Sequence, residues 1–331
     1  MKDKRILLTG ASGFAGAHML RNLLEKTDYY IYCPVTFLHG GSKQRILDLI
    51  PIDFVEKYSL LEVDLAKSRV DIESLEIDYI VNFASESHVD NSIINPQPFV
   101  RNNINLLMNL LESVRENRAR VPILHISTDE VYGEIKLGYD VKEWVSKLSP
   151  SNPYSASKAM QEELLLSYQR TYGIRCCIFN ITNMIGEAQN VEKFLPRAIS
   201  RIIKGKTINI DTNLDGLIGS RKYVYVKDVA EGILLILSKI GNGDISLETN
   251  VEKFHISGVS EFSNLDIVKI VGECLNMEPV LTFNPSPRIG YDLRYDLNSQ
   301  KIRSFGWHES QSVPSTVQQI VEWTLSKAHW M

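Results

Sequence analysis

The 331-residue chain has no apolar run near the ~20 residues that span a bilayer, and its four cysteines include no CxxC pair. Cys176 and Cys177 are adjacent while Cys33 and Cys274 stand apart, a spacing unlike any metal-ligand set. Buried, reduced thiols in a cytoplasmic protein account for them. Basic excess is missing too: the net charge is -4, which removes the electrostatic case for nucleic acid. The sequence runs from Lys2 and Lys4 straight into an apolar strand, without the pattern of a secretory leader. No repeat, low-complexity tract or charged tail interrupts it. With 44% apolar and 23% charged residues, the composition is that of a globular enzyme acting on a small molecule, with no metal and no membrane partner expected.

What is present is alternation. Residues 6–8, 29–33, 60–63, 78–83 and 123–127 read as continuously apolar strands, and residues 15–25 and 103–118 as helices. Strands of that kind belong to a doubly wound parallel sheet covered on both faces, a Rossmann-type α/β fold. The second half is less regular, with helices expected over 192–204, 229–238 and 265–275, a short strand over 223–226, and loop over 279–287. The expected division is a dinucleotide-binding domain over 1–176, to which segments near 220–255 return, and a smaller interleaved α/β substrate domain over 177–331.

The first chemical motif follows the first strand: Thr9-Gly10-Ala11-Ser12-Gly13-Phe14-Ala15-Gly16. Gly10, Gly13 and Gly16 suit a tight turn that brings backbone amides and a helix N-terminus up to a pyrophosphate, with Phe14 in the same turn. The second strand should then end in the carboxylate that holds an adenosine ribose, yet the chain reads Tyr32-Cys33-Pro34-Val35-Thr36. Without that acid, discrimination between NAD and NADP is expected to be weak. His39, Ser42, Lys43 and Arg45 follow, and either meet a ribose phosphate or form a solvated basic loop. Asp64, after the third strand, either contacts the adenine edge or caps the next element.

The second motif is Ser127-Thr128-Asp129-Glu130-Val131-Tyr132-Gly133, followed by Pro153-Tyr154-Ser155-Ala156-Ser157-Lys158. Tyr154 and Lys158 are one helical turn apart, so the ammonium is expected to lower the phenol's pKa and make it a base for a substrate hydroxyl. Thr128 adds a hydroxyl, and Asp129 and Glu130 add adjacent carboxyls, one of which can stay protonated while the other ionises. Such a set can run oxidation and dehydration in one pocket.

These motifs, with Tyr223-Val224-Tyr225-Val226-Lys227-Asp228-Val229, resemble the extended short-chain dehydrogenase/reductase family, the NAD-dependent epimerase/dehydratase enzymes. Within it, Thr128-Asp129-Glu130-Val131-Tyr132-Gly133-Glu134, Glu86-Ser87-His88-Val89-Asp90 and Glu192-Lys193-Phe194-Leu195-Pro196 look like the dTDP-glucose 4,6-dehydratase group. The resemblance implies NAD as cofactor and a nucleoside-diphosphate sugar as substrate. Thr128, Asp129, Glu130, Tyr154 and Lys158 would be catalytic, with Asp129 as acid and Glu130 as base. Ser87 and His88 would line the sugar pocket, although a core histidine is the plainer reading of His88 alone. Asn183, Glu192 and Lys193 would hold the sugar nucleotide, and Arg221 and Arg288 the diphosphate. Tyr291 stands where a histidine is common, Ile185 where tyrosine is expected, and His255 where asparagine is usual. The family also implies a homodimer through a four-helix interface, for which Met108, Leu111, Leu164 and Leu165 are either contacts or core. Two other readings stay open: an epimerase or decarboxylase with an incidental acid pair, and a silent nucleotide-binding regulator. The complete catalytic set argues against the regulator.

Overall fold

A computed structural model describes residues 4–38, 40–117, 120–286 and 292–331. In chain order the first half holds β1 (Arg5–Thr9), α1 (Phe14–Lys26), β2 (Tyr30–Val35), α2 (Lys43–Leu49), β3 (Tyr58–Glu62), β4 (Tyr79–Asn82), α3 (Val89–Ile94), α4 (Pro96–Glu116), β5 (Ile123–Thr128), α5 (Pro153–Tyr172) and β6 (Cys176–Ile181). The second half continues with β7 (Met184–Ile185), α6 (Phe194–Ile203), β8 (Ile208–Thr212), β9 (Ser220–Lys222), β10 (Val224–Tyr225), α7 (Val226–Gly241), β11 (Glu252–Ile256), β12 (Glu261–Ser263), α8 (Asn264–Leu275), β13 (Leu281–Pro285), α9 (Gln300–Ser304) and α10 (Val313–Ser326).

Seven strands make one sheet in the order β11-β6-β5-β4-β1-β2-β3, and every pairing in it is parallel. Successive β1 residues face opposite sides: Ile6 and Leu8 join the core with α1 and α7, while Leu7 joins the core with α4 and α5. That period of two, with both faces apolar, makes the strand sequence continuously hydrophobic. The order reverses between β1 and β4, so the loops after these two strands diverge and open a crevice at their carboxyl ends. A third core, under α6, α8 and α10, carries Ile199, Ile267, Val271 and Ile320 beside the crevice.

Several boundaries differ from the sequence reading. Helix α4 starts at Pro96, where a proline in the first turn loses no helical hydrogen bond. The loop expected over 279–287 contains β13, paired in parallel with β8. Four of its five residues are exposed, so no apolar alternation marked it. Leu111 and Leu165, candidates for a dimer contact, are fully buried in the chain's own core, whereas Met108 and Leu164 are only partly covered. Among the described residues no helix is long and apolar enough to cross a membrane.

Among the described residues one ion pair lies inside. Glu162 on α5 accepts from Lys253 Nζ of β11 at 2.7 Å, and its other oxygen takes Ser127 Oγ of β5 at 2.5 Å and Asn180 Nδ2 of β6 at 2.7 Å. Neither ion is more than 3% exposed. Removing one partner strands a desolvated charge, so Lys253→Met should cost about 3–5 kcal/mol in denaturant unfolding. Adding Glu162→Gln to that variant should recover most of the loss; no recovery would show that the pair is not what holds these four elements.

Candidate active site

The glycine turn closes the crevice on one side. Gly10 has φ +70°, and a Cβ there would lie 2.8 Å from Ala84 N, so the turn after β1 presses directly on the chain leaving β4. A Cβ on Gly16 would meet the Gly10 carbonyl oxygen at 2.1 Å, which only glycine avoids. Gly13 caps α1 without a side chain and the first turn holds no acid, leaving amides and helix dipole directed at the groove. The groove encloses about 320 Å³ and runs from Gly10, Gly13, Phe14 and Gly16 past Thr36 and Asp64 to Tyr154 and Lys158. These features fit a dinucleotide.

No carboxylate ends β2. Asp64 lines the groove, while its Oδ1 accepts from Ala66 N at 3.0 Å, as a cap of the next turn does, and its Oδ2 pairs with Lys67 at 2.9 Å. Lys43 is exposed, with Nζ 5.0 Å from the Phe37 ring centroid. Arg45 is not in a solvated loop but 1% exposed, with four hydrogen bonds to carbonyl-type oxygens. His39 lies outside the described residues.

At the other end, Tyr154 and Lys158 share the buried face of α5. Pro153 opens that helix and Asn152 caps it, accepting from Ser155 N at 2.9 Å in a capping box. The same Asn152 donates through Nδ2 to Glu130 Oε2 at 3.2 Å, so the cap that starts the helix also orients the carboxylate. Thr128 Oγ1 accepts from Glu130 N at 3.3 Å and contacts Asp129 Oδ1 at 3.1 Å. Thr128, Asp129, Glu130 and Tyr154 therefore converge at the end of β5.

Electrostatics separates the two acids. Burial, and then the neighbouring Glu130 charge, push Asp129 up to about 7, while Asp129 Oδ2 has no hydrogen-bond partner among the described residues. Burial also raises Glu130, opposed by the Asn152 hydrogen bond and Arg221. Both carboxyls are thus held above the ordinary carboxylate range, by burial first and, for Asp129, by its neighbour's charge next. The expected lowering of the Tyr154 phenol is not met: burial and the Glu130 charge raise it, and only the Thr128 contact opposes them. Lys158 donates instead to the Ile126 carbonyl at 2.7 Å, and burial brings it down to about 7.

Beyond the acids a second cleft of about 230 Å³ is lined by Ser87, His88, Asn183, Glu192, Lys193 and Arg221, as the sequence suggested. His88 is no core residue, for it caps α3 by accepting from Asn91 N at 3.4 Å. Ile185 also faces this cleft, whereas His255 is buried away from it, with Nε2 2.8 Å from Tyr132 Oη. Lys193 Nζ reaches the Ser87 carbonyl at 3.1 Å across the cleft mouth. Arg221 donates to the carbonyls of Ser220, Leu293 and Asp292 and covers the Tyr295 ring at 4.5 Å. Arg288 and Tyr291 lie outside the described residues.

Sequence reasoning missed Asn152, Arg197, Asp292 and Tyr295, which also line this cleft. Arg197 follows Lys193 by one helical turn, a spacing that could have signalled a second cation on the same face. Asp292 takes the Tyr295 hydroxyl at 2.6 Å beside Glu130, a contact no local pattern announces.

The NAD dependent epimerase/dehydratase family model matches residues 6–251. A probable dTDP-glucose 4,6-dehydratase of Sinorhizobium fredii is 30% identical across 98% of this chain and 94% of the relative. The Haemophilus influenzae dTDP-glucose 4,6-dehydratase is also 30% identical, over 97% of each chain. A Streptomyces venezuelae dTDP-glucose 4,6-dehydratase, solved with NAD and dTDP bound, superposes with a TM-score of 0.86 at 29% identity, covering 98% of both chains.

The Asp129 shift has a signed consequence. Its folded pKa of about 7 exceeds the ordinary 3.8, so its stabilising contribution is full below 3.8 and is lost as pH rises to about 7. Asp129→Asn, neutral throughout, should therefore gain in Tm over the parent as pH rises from about 4.5 to about 8. Calorimetry showing the same difference at both ends would refute the raised pKa.

Proposed function

The chain belongs to the NAD dependent epimerase/dehydratase family, and from that premise we propose that it is a nucleotide-sugar 4,6-dehydratase. It converts dTDP-glucose to dTDP-4-keto-6-deoxyglucose and water. The observation that carries this reading is the acid pair at the end of β5, with Asp129 buried and its pKa raised to about 7 and Glu130 oriented by Asn152. A simple oxidoreductase has no use for a second, neutral acid beside its base.

The glycine turn, Asp64, Tyr154 and Lys158 would hold NAD, which when bound supplies the acceptor for a hydride from sugar carbon 4 and its return to carbon 6. Tyr154 would take the proton of the 4-hydroxyl as a phenolate, which the positive charge of a bound nicotinamide would favour against the burial that raises its pKa, and the resulting ketone acidifies the proton on carbon 5. Glu130 removes that proton. Asp129 protonates the 6-hydroxyl as its carbon–oxygen bond breaks, releasing water, and a proton returns to carbon 5 as hydride reaches carbon 6. Net oxidation state is unchanged. Arg221, Arg197 and Lys193 supply positive charge for the diphosphate, where arginine's planar fork suits phosphate oxygens. Asn183 and Glu192 complete the sugar-nucleotide cleft, and Ser87 and His88 bound its sugar end.

Residues 1–176, with the returning segment that contains β11, would form the cofactor-binding part, and residues 177–331 the sugar-nucleotide part. A homodimer through α4 and α5 fits the 41% exposure of Met160 and the partial exposure of Met108 and Leu164 on this helix pair; sedimentation should give twice the chain mass.

Incubation with dTDP-, UDP-, GDP- and CDP-sugars, read by mass spectrometry, should show loss of one water with dTDP-glucose. No product from any donor would overturn the assignment. Asp129→Asn should slow water loss by about 100-fold or more, and Glu130→Gln should abolish exchange of the carbon 5 proton with deuterated solvent. Tyr154→Phe should remove the transient absorbance of reduced nicotinamide; a rise at the parent rate would place the base elsewhere.

A further inference from the structure

Arg45 is a buried cation for which no carboxylate lies within ion-pair distance among the described residues. Its Nη1 donates to the Ser12 carbonyl at 2.7 Å and the Gly40 carbonyl at 2.8 Å, its Nε to the Ala188 carbonyl at 2.8 Å, and its Nη2 to Asn190 Oδ1 at 2.5 Å. Glu192 is the acid whose charge it feels, without contact. Burial lowers it only to about 10, so it stays charged at neutral pH. Its three connections are the glycine turn, the loop after β2 and the segment after β7. Ser12, Gly40 and Asn190 all line the cofactor groove, while Glu192 and Lys193, just beyond Asn190, line both the groove and the sugar-nucleotide cleft. Lys193 N bonds back to the Asn190 carbonyl at 3.0 Å, completing a continuous path.

The side chain is held from behind as well. The Trp330 ring lies 5.1 Å from the guanidinium carbon, and its Nε1 donates to Asp48 of α2 at 2.9 Å, one turn from Arg45. A guanidinium this enclosed, hydrogen-bonded only to neutral oxygens, keeps a positive field behind the glycine turn that Glu192 offsets only from a distance. A diphosphate on that turn would compensate it, and the same event would tighten the carbonyls that fix the 188–193 segment.

We propose that Arg45 is a positioning residue that joins the glycine turn to the 188–190 segment, so that dinucleotide and nucleoside diphosphate bind cooperatively. The inference rests on the assignment of the two clefts given above. Its test needs no turnover: titrate the full chain, freed of nucleotide, with NAD in the absence and presence of saturating dTDP, and measure NAD dissociation. The parent should bind NAD about 5-fold or more tightly with dTDP present, the lower range of coupling between sites. Arg45→Lys keeps the charge but cannot span four oxygens. It should release NAD about tenfold faster and bring the coupling near unity, while circular dichroism stays that of the parent. Asn190→Leu severs the far end of the link, so it should bring the coupling near unity, and it serves if Arg45→Lys fails to fold. Coupling of unity in the parent, or parent-like coupling in a folded variant, overturns the proposal. If dTDP does not bind the parent, the sugar-nucleotide reading fails instead. The Arg45 proposal is then judged by NAD dissociation, and an unchanged rate in Arg45→Lys overturns it.

Discussion

The geometry of the site depends on the carboxylate of Glu162. It is the point at which α5, β5, β6 and β11 meet, through Ser127, Asn180 and Lys253. Lys158 lies one turn earlier on α5 and Tyr154 two turns earlier, and Thr128 follows Ser127 directly. Fixing Glu162 against Ser127 therefore fixes the rotation of α5 about its axis relative to the end of β5. The phenol and the acid pair arrive in register because a charge with nowhere else to go has been satisfied from three strands at once.

Above that anchor, proximity to solvent sorts otherwise similar groups. Asp129 and Glu130 are neighbours that both feel burial and the field of Arg221, yet the first keeps an oxygen without a partner among the described residues and the second meets the Asn152 amide. The division of labour between acid and base follows from this difference in surroundings rather than from residue type. Asn152 links the two levels, since one side chain terminates a helix and steadies a carboxylate.

What could be read from the sequence is what is local in sequence. The glycine turn, the Tyr154–Lys158 spacing and the Thr128-Asp129-Glu130 run each occupy a short segment whose geometry a single turn or helix dictates, and the structure brings them together as expected. The alternation of apolar strands and helices likewise announced the parallel sheet, because burial on both faces favours apolar residues at successive strand positions. Arg45 was misread because an arginine near the start of a short, partly polar helix looks solvated until segments some 140 residues away, at Ala188 and Asn190, close over it. Asp292 and Tyr295 gave no signal for the same reason. Strand β13 escaped because an exposed strand pairing only with another edge need not alternate.

The position of β11 bears on how the protein is made. The strand occupies residues 252–256 and forms the edge of the sheet beside β6, which ended at residue 181. During vectorial synthesis, β6 must wait with one side unpaired while some seventy further residues emerge. Glu162 must also wait, without its counter-ion, until Lys253 leaves the ribosome. A nascent chain halted before that point presents an open, apolar strand edge and a stranded carboxylate, both features that chaperones and proteases engage.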